Sequence, residues 1–103
     1  MKARYYKGRQ FEYKVKKFLE SLGFVVFRCA GSKPLDLIAL RAGLKPILIE
    51  CKTTKYIPKD QRDIEKALAQ RAGAELIIVT KDNFDEFKKK MFLRYAEAIS
   101  SSD

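Results

Sequence analysis

The chain has no histidine among its 103 residues. That absence removes Ser-His-Asp hydrolysis, histidine-ligated metallonucleases and Cys₂His₂ zinc sites together. Cysteine occurs twice, as Cys29 and Cys51. Two thiols do not complete a Cys₄ zinc site. Both fall in strand-like runs, so they read as buried thiols of an intracellular, cytoplasmic protein and not as a disulfide. No apolar run approaches the ~18 residues of a membrane span. The opening MKARYYKGRQF is basic but lacks the apolar region of a signal peptide. Acid is in short supply as well: 13 Asp and Glu stand against 22 Lys and Arg, a net charge of +9. Such a surplus points to a polyanionic partner, either nucleic acid or an acidic membrane surface. The length suits one compact domain, expected over residues 1–99, with Ser100–Asp103 as a frayed polar tail.

What the chain does have is concentrated between Ser32 and Lys52, SKPLDLIALRAGLKPILIECK. Two short apolar runs, Leu35–Leu40 and Pro46–Ile49, flank a turn at Ala42-Gly43 and read as a β-hairpin. Asp36 enters the first run, and Glu50 and Lys52 close the second. Side chains alternate along a strand, so Glu50 and Lys52 share a face while Cys51 takes the other. Pairing the strands brings Asp36 near Glu50, with Lys52 alongside. Two carboxylates there repel each other and lose hydration. A divalent cation offsets both penalties, and Mg²⁺ suits a site of one or two carboxylates completed by water. The alternative is that Asp36 and Glu50 are ordinary solvated strand-end residues.

Around this hairpin the order is α-β-β-β-α-β-α, an α/β fold with a mixed sheet flanked by helices. After a basic, aromatic arm over Met1–Tyr6, Lys7 to Leu22 forms a helix. Phe11, Val15, Phe18, Leu19 and Leu22 make its apolar stripe, and Gly23 ends it. Glu12 projects nearly in line with Leu19, at the edge of that stripe and in the first helical turn. It reads equally as a partner of the helix dipole or as a functional acid. Phe24–Cys29 is a strand. Lys59–Ala72 is a second helix whose weak apolar face is Ile64, Ala67, Leu68 and Ala72. Glu75–Lys81 is a strand buried on both faces. Asp82 caps a last helix with a core stripe of Phe84, Phe87, Met91 and Tyr95.

Asp36 followed fourteen residues later by Glu50-Cys51-Lys52 resembles the core of PD-(D/E)xK nucleases, written here as PLD…ECK. The element order resembles their restriction-endonuclease-like fold. The segments KGRQFE (Lys7–Glu12), GFVVFRCAGSKPLDLIAL (Gly23–Leu40) and ILIECKTTK (Ile47–Lys55) are similar to archaeal Holliday-junction resolvases and cover about the first half of the chain. The resemblance implies that Asp36, Glu50 and the Cys51 carbonyl ligate Mg²⁺, with Mn²⁺ as a substitute. Glu12 would reach the ion through water, and Lys52 would activate the attacking water. Arg28 and Ser32 would contact the scissile phosphate, and Gly31 would keep their loop tight. Lys81 would add a basic residue there; by charge alone, Lys2, Arg4, Lys7, Arg9, Arg28 and Lys33 are the groups expected to hold DNA. The implied activity is hydrolysis of four-way DNA junctions by a homodimer, leaving 5′-phosphates. A nuclease for flaps, damage or foreign duplex shares the same core. A non-catalytic basic DNA-binding domain is disfavoured, because Asp36 and Glu50 would repel the ligand. At position 13, where relatives often carry a basic residue, this chain has Tyr13.

Overall fold

The computed structural model describes the backbone of residues 2–29, 35–53 and 58–101, and the side chains of these except 2–7 and 101. The elements are α1 (Lys2–Ser21), β1 (Val25–Arg28), β2 (Leu37–Leu40), β3 (Ile47–Lys52), α2 (Lys59–Ala72), β4 (Glu75–Thr80) and α3 (Phe84–Ser101). They form one mixed four-stranded sheet in the spatial order β1-β2-β3-β4. The hairpin is present: β2 and β3 pair antiparallel with Leu37 opposite Ile49, and β1 pairs antiparallel with β2. The crossover through α2 makes β4 parallel to β3, with Glu50 opposite Ile78.

The helix α1 lies across one face of the sheet. Phe11, Val15, Leu19 and Leu22 are buried there against Val26, Leu37, Ala39, Ile47, Ile49 and Val79. The helix stops where expected. Gly23 has φ +86 and donates to the Glu20 carbonyl, while Phe24 N–H reaches back to Leu19. A side chain there would be strained by that φ and would press on the Arg41 guanidinium, which donates to the Leu22 carbonyl. At the other end α1 begins at Lys2, five residues before the expected start, so the arm expected over Met1–Tyr6 is helical from Lys2 on. Lys and Arg are good helix formers, and nothing in KARYY breaks the run. Glu12 is therefore mid-helix, which removes its reading as a helix-dipole partner.

α3 packs beside α1 through a cluster of rings. Phe84 meets Phe11 edge-on at 5.6 Å, and Phe87 meets Phe18 at 6.2 Å. Met91 is fully buried and Tyr95 packs against the same core, as the stripe implied. The cap differs. Asn83, not Asp82, precedes α3 and accepts from the Phe87 N–H. The Asn83 side chain also accepts from Thr80 N–H and donates to the Ile78 carbonyl, tying the turn to β4. α3 continues through Ser101, so Ser100 and Ser101 are helical instead of frayed.

Two further expectations are corrected. β4 is an edge strand and is mostly half-buried, not enclosed on both faces. On α2 the residues turned inward are Glu65 and Ala69, whereas Ile64, Ala67 and Ala72 are exposed. The helix has rotated its acid, not its isoleucine, toward the sheet.

One ion-pair group fastens α3 to β4. Arg94 holds both Glu75 carboxylate oxygens, and Lys90 adds a contact at 3.2 Å. Burial pulls the Glu75 carboxyl upward, but Arg94 and Lys90 outweigh it and hold the carboxyl below its ordinary value. A depressed carboxyl stabilises above its unfolded pKa and loses that contribution as pH falls through the folded value. Arg94→Ala should therefore lower stability by about 1 kcal/mol at pH 7, a Tm drop of roughly 4–8 °C, with the difference shrinking toward pH 3. Thermal melts across that range check it; a pH-independent difference would assign the loss to packing of the arginine stem.

Candidate active site at the end of the hairpin

Asp36 sits one residue ahead of β2, at the open end of the hairpin. Its N–H donates to the Ile49 carbonyl at 3.0 Å, and its Oδ2 accepts from the Cys51 N–H at 2.7 Å. The carboxyl is thus fixed by β3 main chain. Ile49 and Cys51 are alternate residues and turn their main-chain groups to the same edge, so the Cys51 carbonyl also faces the Asp36 side. Burial pushes the Asp36 carboxyl above its usual range. Glu12 and Glu50 push it the same way, while the Cys51 hydrogen bond and Lys52 oppose them.

Glu50 is 1% exposed, a carboxylate in the interior. Its Oε1 accepts from Gln61 Nε2 at 2.6 Å and lies 3.0 Å from Lys52 Nζ. The alternation expected of Glu50, Cys51 and Lys52 therefore holds. Its Oε2 is buried and finds no hydrogen-bond donor among the described residues. Glu65, from α2, is in the same state: fully buried, with Oε2 accepting from Gln61 at 3.1 Å and Oε1 without a donor. Burial first, and a hydrogen bond shared with the Glu50 carboxyl second, raise the Glu65 carboxyl to about 7. Orphaned carboxylate oxygens in a dry site are costly unless a proton or a cation answers them.

A divalent ion fits this donor set. Among the described residues no three acidic or thiol side chains form a complete ligand group. Two carboxylates and a carbonyl, with water for the rest, make the kind of shell Mg²⁺ accepts. The cysteines are free and half-buried, and burial raises both thiols, so neither is poised as a nucleophile.

Glu12 approaches from the other face of the sheet. It pairs with Arg28 at 3.2 Å, and its charge reaches Asp36. A cleft of about 850 Å³ opens at this point, lined among others by Arg9, Glu12, Arg28 and Lys81. Of the residues singled out from sequence, the structure thus brings Asp36, Glu50, Cys51 and Lys52 together at the hairpin end. Arg9, Arg28 and Lys81 gather with Glu12 in the adjoining cleft. Gly31, Ser32, Lys33 and the side chains of Lys2, Arg4 and Lys7 lie outside the described residues. Gln61 and Glu65 were missed. Both sit on the helix face that looked polar, and Gln61 and Glu65 at i and i+4 were the available signal.

A mixed sheet with Asp36 at the head of β2 and Glu50-Cys51-Lys52 at the end of β3, packed between α1 and α2, defines a restriction-endonuclease-like domain of the PD-(D/E)xK class. The family model described as archaeal Holliday junction resolvase (Hjc) matches residues 3–101. The chain belongs to that family. A curated relative, the crossover junction endodeoxyribonuclease Hjc of Methanocaldococcus jannaschii, is 47% identical over 73 residues, covering 67% of this chain and 53% of its own length. The solved Hjc Holliday junction resolvase of Archaeoglobus fulgidus superposes with a TM-score of 0.61 at 30% identity, over 73% of this chain and 64% of that one. The chain therefore spans about half the length of the curated relative. Among the described residues no helix is long and apolar enough to cross a membrane.

Proposed function

We propose that this chain is a divalent-metal-dependent endonuclease that cuts four-way DNA junctions by phosphodiester hydrolysis, leaving 5′-phosphates. The observation that carries the reading is the Glu50 carboxylate, buried with one oxygen that meets no donor beyond a proton shared with Glu65, beside an Asp36 carboxyl clamped by Cys51 N–H. Asp36, Glu50 and the Cys51 carbonyl would hold Mg²⁺, with Mn²⁺ accepted in its place. When bound, such an ion polarises a phosphoryl oxygen and acidifies a bound water. Lys52, anchored on Glu50, orients the attacking water and offsets charge growing on the phosphate. Arg28 and Lys81 hold the substrate backbone in the cleft, with Arg9, Lys7, Lys33, Gly31 and Ser32 extending that contact. Glu12 keeps Arg28 in place until phosphate competes for it, and would reach a bound ion through water. The test is cleavage of a synthetic four-way junction against linear duplex, with and without Mg²⁺. Paired nicks in the junction are expected; equal or faster cutting of duplex would overturn the junction assignment.

Paired nicks need two active sites, and a homodimer supplies them. Support for it lies on the sheet face opposite α1. Val25 and Leu40 are directly opposite there, as are Phe27 and Ile38. Val25 and Phe27 are 57% and 56% exposed, a run of apolar surface on an edge strand. A second copy covering it would bury that area. Phe27→Lys should give a monomer by solution mass and convert paired nicks into independent ones, with single-site nicking retained. A variant that stays dimeric would move the interface elsewhere.

A further inference from the structure

Tyr13 is 58% exposed although it sits in the middle of a helix whose opposite side is core. It lies two residues from both Phe11 and Val15, about 200° of helix turn from each, so it is directed away from the packed stripe. No core residue packs on its ring among the described residues. Yet Tyr13 lines the same cleft as Glu12, Arg28 and Lys81. Arg9, Tyr13 and Lys16, spaced by four and three residues, form one row along α1, and all three line that cleft. The Lys17 ammonium stands 5.4 Å from the Tyr13 ring centroid. An aromatic surface interleaved with cations is the arrangement that binds unstacked bases beside a phosphate backbone.

We propose that Tyr13 is a stacking platform for a DNA base that is unpaired at the branch, and that it thereby sets the preference for branched over continuous DNA. The inference rests on the proposed nuclease reading and deepens it. A lysine on this wall would attract the phosphates of any DNA, because that attraction carries no information on structure. A ring does not. In a continuous duplex every base face is already stacked, so Tyr13 has nothing to bind. At a branch point, or where a strand leaves a helix, a base face is free. Tyr13 follows Glu12 directly in sequence, so the captured base lies close to the phosphate that Arg28 would hold. The ring's hydroxyl is not needed for this task, whereas its planar face is.

The test uses a four-way junction carrying 2-aminopurine at each branch position in turn, bound in Ca²⁺ to prevent cutting. Its fluorescence reports whether that base is transferred from its neighbours onto a ring. Wild type and Tyr13→Phe should give the same fluorescence change at one branch position. Tyr13→Ala and Tyr13→Lys should lose it, with junction affinity of Tyr13→Ala falling roughly 10-fold and duplex affinity unchanged. Circular dichroism of each variant controls for folding. Full junction affinity and an unchanged signal in Tyr13→Ala would overturn the stacking role, as would an equal loss on junction and duplex. Failure of the wild type itself to prefer the junction would instead overturn the nuclease reading beneath it, and the stacking role with it.

Discussion

Asp36→Asn and Glu50→Gln should each abolish junction cutting, by at least about 10³-fold, while DNA binding persists or tightens. A 10³-fold loss corresponds to about 4 kcal/mol of transition-state stabilisation, within reach of one displaced metal contact. The two substitutions act differently on the free protein. Asparagine at position 36 keeps an oxygen able to accept from Cys51 N–H, so the hairpin end should hold its shape. Glutamine at position 50 places an amide where Oε1 meets Gln61 and Lys52 and where Oε2 meets no donor. Its NH₂ would lie near the Glu65 carboxyl and satisfy it. Glu50→Gln should therefore raise metal-free stability even as it removes activity. Single-turnover cleavage, a binding assay in Ca²⁺ and a thermal melt separate the three effects. Binding that falls in parallel with rate would indicate a damaged fold or a site with another task.

The second large effect is on the pH dependence of metal-free stability. The folded Glu65 carboxyl is raised from 4.5 to about 7, by burial first and by the Glu50 carboxyl second. Below about 4.5 both folded and unfolded chains carry the proton. Between about 4.5 and about 7 only the folded chain keeps it, so stability falls as pH rises through this window. Above the folded value the penalty is complete, on the order of 3 kcal/mol from the size of the shift. Asp36 is raised in the same direction and adds a smaller slope of the same sign. Glu65→Gln removes the larger contribution. In chelator at pH 8 it should melt roughly 10 °C or more above wild type, and near pH 4 the two should converge. Mg²⁺ should raise the wild-type Tm at pH 8 by binding the folded state alone. Parallel melting curves for wild type and Glu65→Gln across pH 4–8 would show that Glu65 carries no such burden.

These experiments follow from residues that were unequally visible in the sequence. The α1 stripe and the hairpin could be read because burial of one face imposes a period on the chain, 3.6 for the helix and 2 for the strand. The acids at the hairpin end stood out because charge interrupts that period where apolar residues are expected. Local chemistry also fixed Gly23 as the helix stop, since its φ of +86 is one that few residues adopt.

Other features were settled only by packing. α2 offered an isoleucine and several alanines as its inner face, and the structure chose Glu65 and Ala69. The reason is the parallel β3–β4 crossover, which sets α2 over Glu50 and rewards a side chain that shares Gln61 with it. The Gln61–Glu65 spacing within α2 marks a paired polar face but not its partner, because Glu50 is eleven residues before Gln61 in sequence and adjacent only in space. The pairing of Glu12 with Arg28 is of the same kind, sixteen residues apart and joined where α1 crosses β1. The start of α1 at Lys2 went unread because a polar, basic segment shows no periodicity until its core-facing residues begin. Near-neighbour sterics and solvation, which act along the chain, set which elements form and where carboxylates end the central hairpin. Which carboxylates are dry, which oxygens lack donors and which cations share the cleft came from packing alone, because desolvation and Coulomb energy depend on distances that the chain acquires when it closes on itself.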